Sequence, residues 1–83
     1  MLINYNTSVF TPAGWRHVTI TAQVEKISEK RAKVVEVIKI DGEKPTGYAS
    51  RTGAKRQTYS AKGVALREVG AVKILSKCTI IDR

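Results

Sequence analysis

Between Ser50 and Ser60 the chain carries Arg51, Lys55 and Arg56, one glycine (Gly53) and no acidic residue, with Tyr48 and Tyr59 at the flanks. Cations at this density attract phosphate oxygens, and the affinity they give is largely independent of sequence and falls steeply with salt. Aromatic rings beside such a run let unstacked bases stack on them, each stack contributing about 1–3 kcal/mol. Gln57 can reach a base edge or a sugar hydroxyl. The pattern points to a polyanion, gripped by Tyr48, Arg51, Lys55, Arg56, Gln57 and Tyr59, with Lys62 and Arg67 extending the surface.

The distribution of charge supports that placement. Fifteen Lys and Arg against seven Asp and Glu give 83 residues a net charge of +8. Residues 1–50 hold seven cations and five anions, whereas Arg51, Lys55, Arg56, Lys62, Arg67, Lys73 and Lys77 face Glu68 alone. Such a field on a small body attracts phosphate backbones, anionic membranes or acidic proteins.

Other chemistries find less support. Arg51-Thr52-Gly53-Ala54-Lys55 has the glycine of a phosphate-cradling nest, but it lacks the second glycine and the Gly-Lys-Ser/Thr end of a P-loop. It reads better as a hairpin turn. His17, beside Arg16, has no nucleophile or acid at a telling spacing, so it reads as an exposed strand histidine. If the wet face of its strand belongs to the binding surface, Arg16, His17 and Thr19 join it. Glu25, Glu29 and Glu36 lie among Lys26, Lys30, Arg31 and Lys33 and read as cross-strand pairs rather than a hydrolytic dyad. One cysteine, Cys78, and one histidine exclude an internal disulfide and a metal quartet. Cys78, in an apolar strand, is expected as a small buried hydrophobe. Trp15 is expected at the core or its edge, with a stacking platform as the other outcome. No catalytic residue, metal or cofactor is expected.

The elements that must position these residues are mostly strands. Leu2-Ile3-Asn4-Tyr5 reads as a short edge piece, with Asn6-Thr7-Ser8 and Thr11-Pro12-Ala13-Gly14 as loops. From Trp15 onward, Val18, Ile20, Ala22 and Val24 alternate with His17, Thr19, Thr21, Gln23 and Glu25, a half-buried strand. Ser28 to Arg31 is a turn, and Ala32 to Ile40 a second strand with apolar residues on both faces, as near the centre of a small barrel. Asp41-Gly42 signals a tight reversal. Tyr48 to Arg51 is a short strand, and Lys55 to Tyr59 a strand or extended loop. A helix over residues 60–69 starts at Ser60 and stops before Gly70, weakened by Gly63. Val72 to Leu75 and Cys78 to Ile81 close the chain as strands.

This order implies one small domain, residues 1–83, mostly β: a five-stranded antiparallel barrel of OB-type or SH3-like topology with one short helix. The opening residues have neither the basic nor the apolar region of a signal peptide, and no apolar run is long enough to span a bilayer. A soluble, reduced, cytoplasmic protein is expected. The function expected is non-enzymatic binding of nucleic acid, single strands favoured and sequence specificity low. The alternative is a basic protein-binding module, an inhibitor or adaptor of phage or mobile-element type, docking on an acidic surface. Homodimerisation through a sheet edge is compatible with either.

Overall fold

Alternation between two faces governs nearly every long stretch of this chain, and the computed structural model turns it into a curled sheet. It describes the backbone of residues 1–51 and 54–82 and the side chains of residues 1–47, 56 and 58–81. The elements are β1 (Leu2–Thr11), β2 (Gly14–Lys26), β3 (Arg31–Ile40), β4 (Tyr48–Arg51), β5 (Ala54–Ser60), α1 (Ala61–Glu68), β6 (Val72–Ile74), a 3₁₀ turn (Leu75–Lys77) and β7 (Thr79–Asp82). Five strands pair antiparallel in the order β6-β3-β2-β1-β7, and β4 and β5 form a separate hairpin. The sheet is thus a half-barrel with one short helix, as expected. Its strands β1, β2, β3 and β6 meander, and β7 returns to β1 after the 3₁₀ turn. Of the two barrel orders anticipated, this is the SH3-like one and not the Greek key of an OB-fold.

β1 departs from the expected edge piece and loop. It is one strand of ten residues, interior to the sheet, pairing with β2 without a break from Leu2↔Gln23 to Thr11↔Gly14. The reason is that Asn4, Asn6 and Ser8 fall on the outer face, where they find partners across the pair. Thr21 Oγ1 donates to Asn4 Oδ1 at 2.6 Å and Thr19 Oγ1 to Asn6 Oδ1 at 3.0 Å, while Ser8 Oγ lies 3.3 Å from His17 Nδ1. Each such pair contributes a few tenths of a kcal/mol, up to about 1. Ile3, Tyr5, Val9 and Thr11 point inward. Buried Thr11 satisfies itself within the turn, donating to Gly14 O (2.8 Å) and accepting from Ala13 N (3.2 Å).

The mixed faces of β3 have a cause other than a central position. Register slips at Val35 and Ile38, so the inward set is Ala32, Val34, Val37 and Ile40, and Val35 is pushed out to 49% exposure. After β3, Asp41 (φ +53°) and Gly42 (φ +81°) both take positive φ, as a two-residue reversal requires. Ile40 and Glu43 exchange backbone hydrogen bonds of 2.8 and 3.1 Å around it.

The helix begins where Ser60 Oγ accepts from Gly63 N at 3.1 Å. A Cβ at position 63 would stand 3.0 Å from that oxygen, so the glycine that weakens the helix also makes room for its cap. α1 lays Ala61, Val64 and Glu68 against the sheet. The core joins Ile3, Val9, Val18, Ile20, Val34 and their neighbours with Tyr59 of β5 and Leu75 of the 3₁₀ turn. The molecule is elongated, 41 × 20 × 19 Å. No helix among the described residues is long and apolar enough to cross a membrane.

Candidate nucleic-acid interface

The turn between β1 and β2 has Pro12 and Ala13 at its apex, so residues equidistant from it face each other. Phe10 is therefore opposite Trp15, and Ser8 opposite His17. Val9, Thr11 and Val18 take the inward positions, which sends Phe10, Trp15 and His17 to the outer face. Phe10 is 69% and Trp15 72% exposed, their ring centroids 5.3 Å apart and the planes inclined at 72°. An edge-to-face pair of this kind is favoured by the ring quadrupoles, so the two rings hold each other while both remain in water. Trp15, expected at the core or its edge, is instead at the most exposed end of the hairpin.

Two of the expected cations come to this hairpin. Ala13 N donates to Arg56 O at 2.8 Å, which sets the basic strand β5 against the hairpin apex with the Arg56 side chain exposed. Arg67, on the last turn of α1 and half-exposed, reaches Ser8 O with Nη2 at 3.4 Å, two residues along β1 from Phe10. His17 is exposed on the same outer face as the rings. Lys62 is also exposed, on the first turn of α1, where its backbone N–H donates to Gly47 O at 3.4 Å.

Two expected contacts are withdrawn. Tyr59 is only 5% exposed, and the Arg16 guanidinium carbon lies 5.1 Å from its ring centroid. Arg16 in turn pairs with Asp41 (Nη2–Oδ2, 2.8 Å) and is 12% exposed. Burial, and then the Asp41 charge, push the Tyr59 phenol above its ordinary value. The physical reason is parity: Arg16 is two residues before Val18 and takes the inward face, where a cation needs a ring and a carboxylate. The side chains of Tyr48, Arg51, Lys55 and Gln57 lie outside the described residues.

Phe10 is the exposed ring that the sequence reading missed. The signal was available: in a hairpin turning at Pro12-Ala13, positions 10 and 15 must pair. A second missed feature is a charge cluster around a buried carboxylate. Glu68, 6% exposed, accepts from Tyr5 Oη at 2.8 Å and meets Lys73 Nζ and Arg67 Nε, each at 3.3 Å. Lys73 Nζ also stands 4.4 Å from the Tyr5 ring centroid. Burial works to raise the Glu68 carboxyl, but the Tyr5 hydrogen bond and the two cations outweigh it and hold it below the ordinary value. Burial, followed by the bond to Glu68, pushes the Tyr5 phenol far up. A carboxylate kept ionised and fully partnered ties α1 to β1 and β6; it is not poised to move protons.

Cys78, expected to be buried, is half-buried, with Sγ 3.4 Å from Ile74 O and its thiol raised by burial. Among the described residues no group of His, Cys, Asp and Glu side chains is arranged to hold a metal ion. No protein-family model matches this chain, and neither does any curated protein or solved structure.

Proposed function

We propose that this chain is a non-enzymatic nucleic-acid-binding protein that grips single strands at the end of the β1–β2 hairpin, with low sequence specificity. The observation that carries the reading is the Phe10–Trp15 pair, two large rings left in water at a hairpin apex to which the basic strand β5 is hydrogen-bonded. Exposed rings suit unstacked bases, since every base offers a π-face, and a duplex keeps its faces stacked. Arg56 and Arg67 flank the rings and serve phosphates; His17 adds a donor on the same face. Lys55, Arg51, Tyr48 and Gln57 belong to the same strand pair in sequence and extend the proposed surface. Nothing in this reading requires a cofactor, and a single thiol suits a reducing cytoplasmic compartment. The rival reading, a basic module docking on an acidic protein, rests on a different part of the molecule, the edge at β6.

Trp15 is the only tryptophan, so its fluorescence reports on the proposed site directly. Titration with single-stranded DNA, single-stranded RNA and duplex DNA at two salt concentrations is expected to quench Trp15 and raise the anisotropy of labelled single strands, with steep salt dependence. Lys55→Glu combined with Arg56→Glu is expected to weaken binding strongly and flatten that dependence with the fold intact. Absence of binding at low salt, or binding that leaves Trp15 fluorescence unchanged, overturns the proposal.

A further inference from the structure

β6 is the terminal strand of the five-stranded sheet, paired with β3 alone among the described residues. Across from it, β1 keeps β7 as a neighbour only at Leu2, Ile3 and Asn4. Between them the curled sheet does not close, and a cleft of about 360 Å³ opens there. Tyr5 and Asn6 form its β1 wall, β6 its other wall, and Lys77 and Cys78 complete it.

The backbone of that edge is oriented outward. Leu75 N donates to Lys30 O and Val34 N to Ala71 O, so the two-residue alternation of an antiparallel pair turns the Lys73 backbone toward β3. The amides of Val72 and Ile74 then face the cleft side, with Ile74 O taken by Cys78 Sγ. The side chains sort by face as well. Val72 (51% exposed) and Ile74 (43%) take the face opposite to Lys73, across from Lys33 and Arg31 in register; all three residues line the cleft, with Lys73 the least exposed and Lys77 beside them.

We infer that the β6 edge is a docking site for an extended acidic segment of a partner protein, added as a further strand. Its chemistry is fixed by the two faces. Residues directed into the cleft meet exposed Lys77 first, and Lys73 on the side not taken by Glu68, and should be Asp or Glu; alternate residues lie beside Val72 and Ile74 and should be apolar. A second copy of this chain does not suit the edge, because Arg31, Lys33, Lys73 and Lys77 would face their own counterparts. A nucleic acid would use the cations but not the strand amides or the exposed apolar pair. The site is separate from the hairpin apex and stands whether or not that surface binds nucleic acid.

The test uses a short fluorescein-labelled peptide alternating Glu with Val, a peptide of the same composition with the Glu residues in one block, and a Lys/Val alternating control. Anisotropy is paired with amide NMR shifts on the full chain. The alternating acidic peptide is expected to bind, with shifts centred on residues 5–8 and 71–78. Lys77→Glu, at an exposed position, is expected to weaken it about tenfold. Ile74→Pro, which removes an outward N–H and keeps the β3 ladder, should abolish it; Lys77→Glu carries the test if that variant misfolds. Equal binding of the block peptide, shifts centred on residues 10–15, or β6 shifts that follow protein concentration without peptide each overturn the inference, the last assigning the edge to a second copy.

Discussion

Near the hairpin apex Arg16 lies 5.1 Å from the Tyr59 ring centroid and 2.8 Å from Asp41; beside the cleft at β6, Lys73 lies 4.4 Å from the Tyr5 ring centroid and 3.3 Å from Glu68. Both places hold a buried tyrosine, a cation over its face and a carboxylate. They differ in what surrounds the acid. Asp41 is 34% exposed and uses Oδ1 to cap Thr19 N at 2.9 Å, whereas Glu68 is 8% exposed and binds the tyrosine hydroxyl and two cations. The first trio is a water-screened brace between β2 and the turn after β3. The second is a knot around a buried carboxylate that joins three elements, with its cations Lys73 and Arg67 26% and 50% exposed. In a small basic domain, cation and ring next to each other serve first to close the sheet. Among the described rings, the two that no described cation covers are Phe10 and Trp15, which the proposed function assigns to bases.

The knot should be the costlier to cut. Glu68→Ala strands the Tyr5 hydroxyl and the Lys73 ammonium together, and is expected to lower stability by about 3 kcal/mol in urea unfolding at neutral pH. The sign of the pH dependence follows from the direction of the shift. The folded-state carboxyl is held below its ordinary 4.5, so its contribution is complete above that value and is lost as pH falls through the lower, folded-state one. The gap between wild type and Glu68→Ala should therefore close in acid. Tyr5 is shifted the other way: its phenol is raised, so the stability it lends is complete below its ordinary 10.0 and is lost only as pH climbs toward the folded value. A gap that persists unchanged down to pH 3 would show that folding leaves the Glu68 carboxyl unshifted and would break the contrast between the two trios.

The brace should yield less. Asp41→Ala removes the Arg16 pair and the Thr19 cap and places alanine at φ +53°, an expected loss of about 1–2 kcal/mol. Asp41→Asn keeps the positive φ and a cap acceptor and should lose well under that. The same urea titrations measure both. If Asp41→Ala equals Glu68→Ala, burial of the acid is not what distinguishes the two places.

Much of this was legible from the order of residues. The inward set Val18, Ile20, Ala22 and Val24, the Asp41-Gly42 reversal and the Ser60 cap follow from period two and turn chemistry alone. Asn6-Thr7-Ser8 misled because polarity looks the same in a loop and on the wet face of a strand; only the partner strand decides. The bulges in β3 hid a single buried face behind an apparently two-sided pattern. For the proposed site, the basic strand suggested the class of ligand, but Tyr59 and Arg16 lie against each other in the interior. Glu68 stood out as the lone acid among seven cations, the composition of a buried counter-charge.

The smallest effect is the most discriminating for the proposed site. Phe10→Ser and Trp15→Ser remove rings that are about 70% in water, so each should change stability by no more than about 0.5 kcal/mol. Their coupling in a double-mutant cycle of folding, from the edge-to-face contact at 5.3 Å, should be about 0.5 kcal/mol. Binding of a single-stranded oligonucleotide should respond on a larger scale, about 1–3 kcal/mol per ring. Rings that fold the protein would give the opposite ranking, with stability falling by more than binding. A pair that matters little to folding and greatly to binding is what separates the apex from the two buried trios, in which every ring already has its cation.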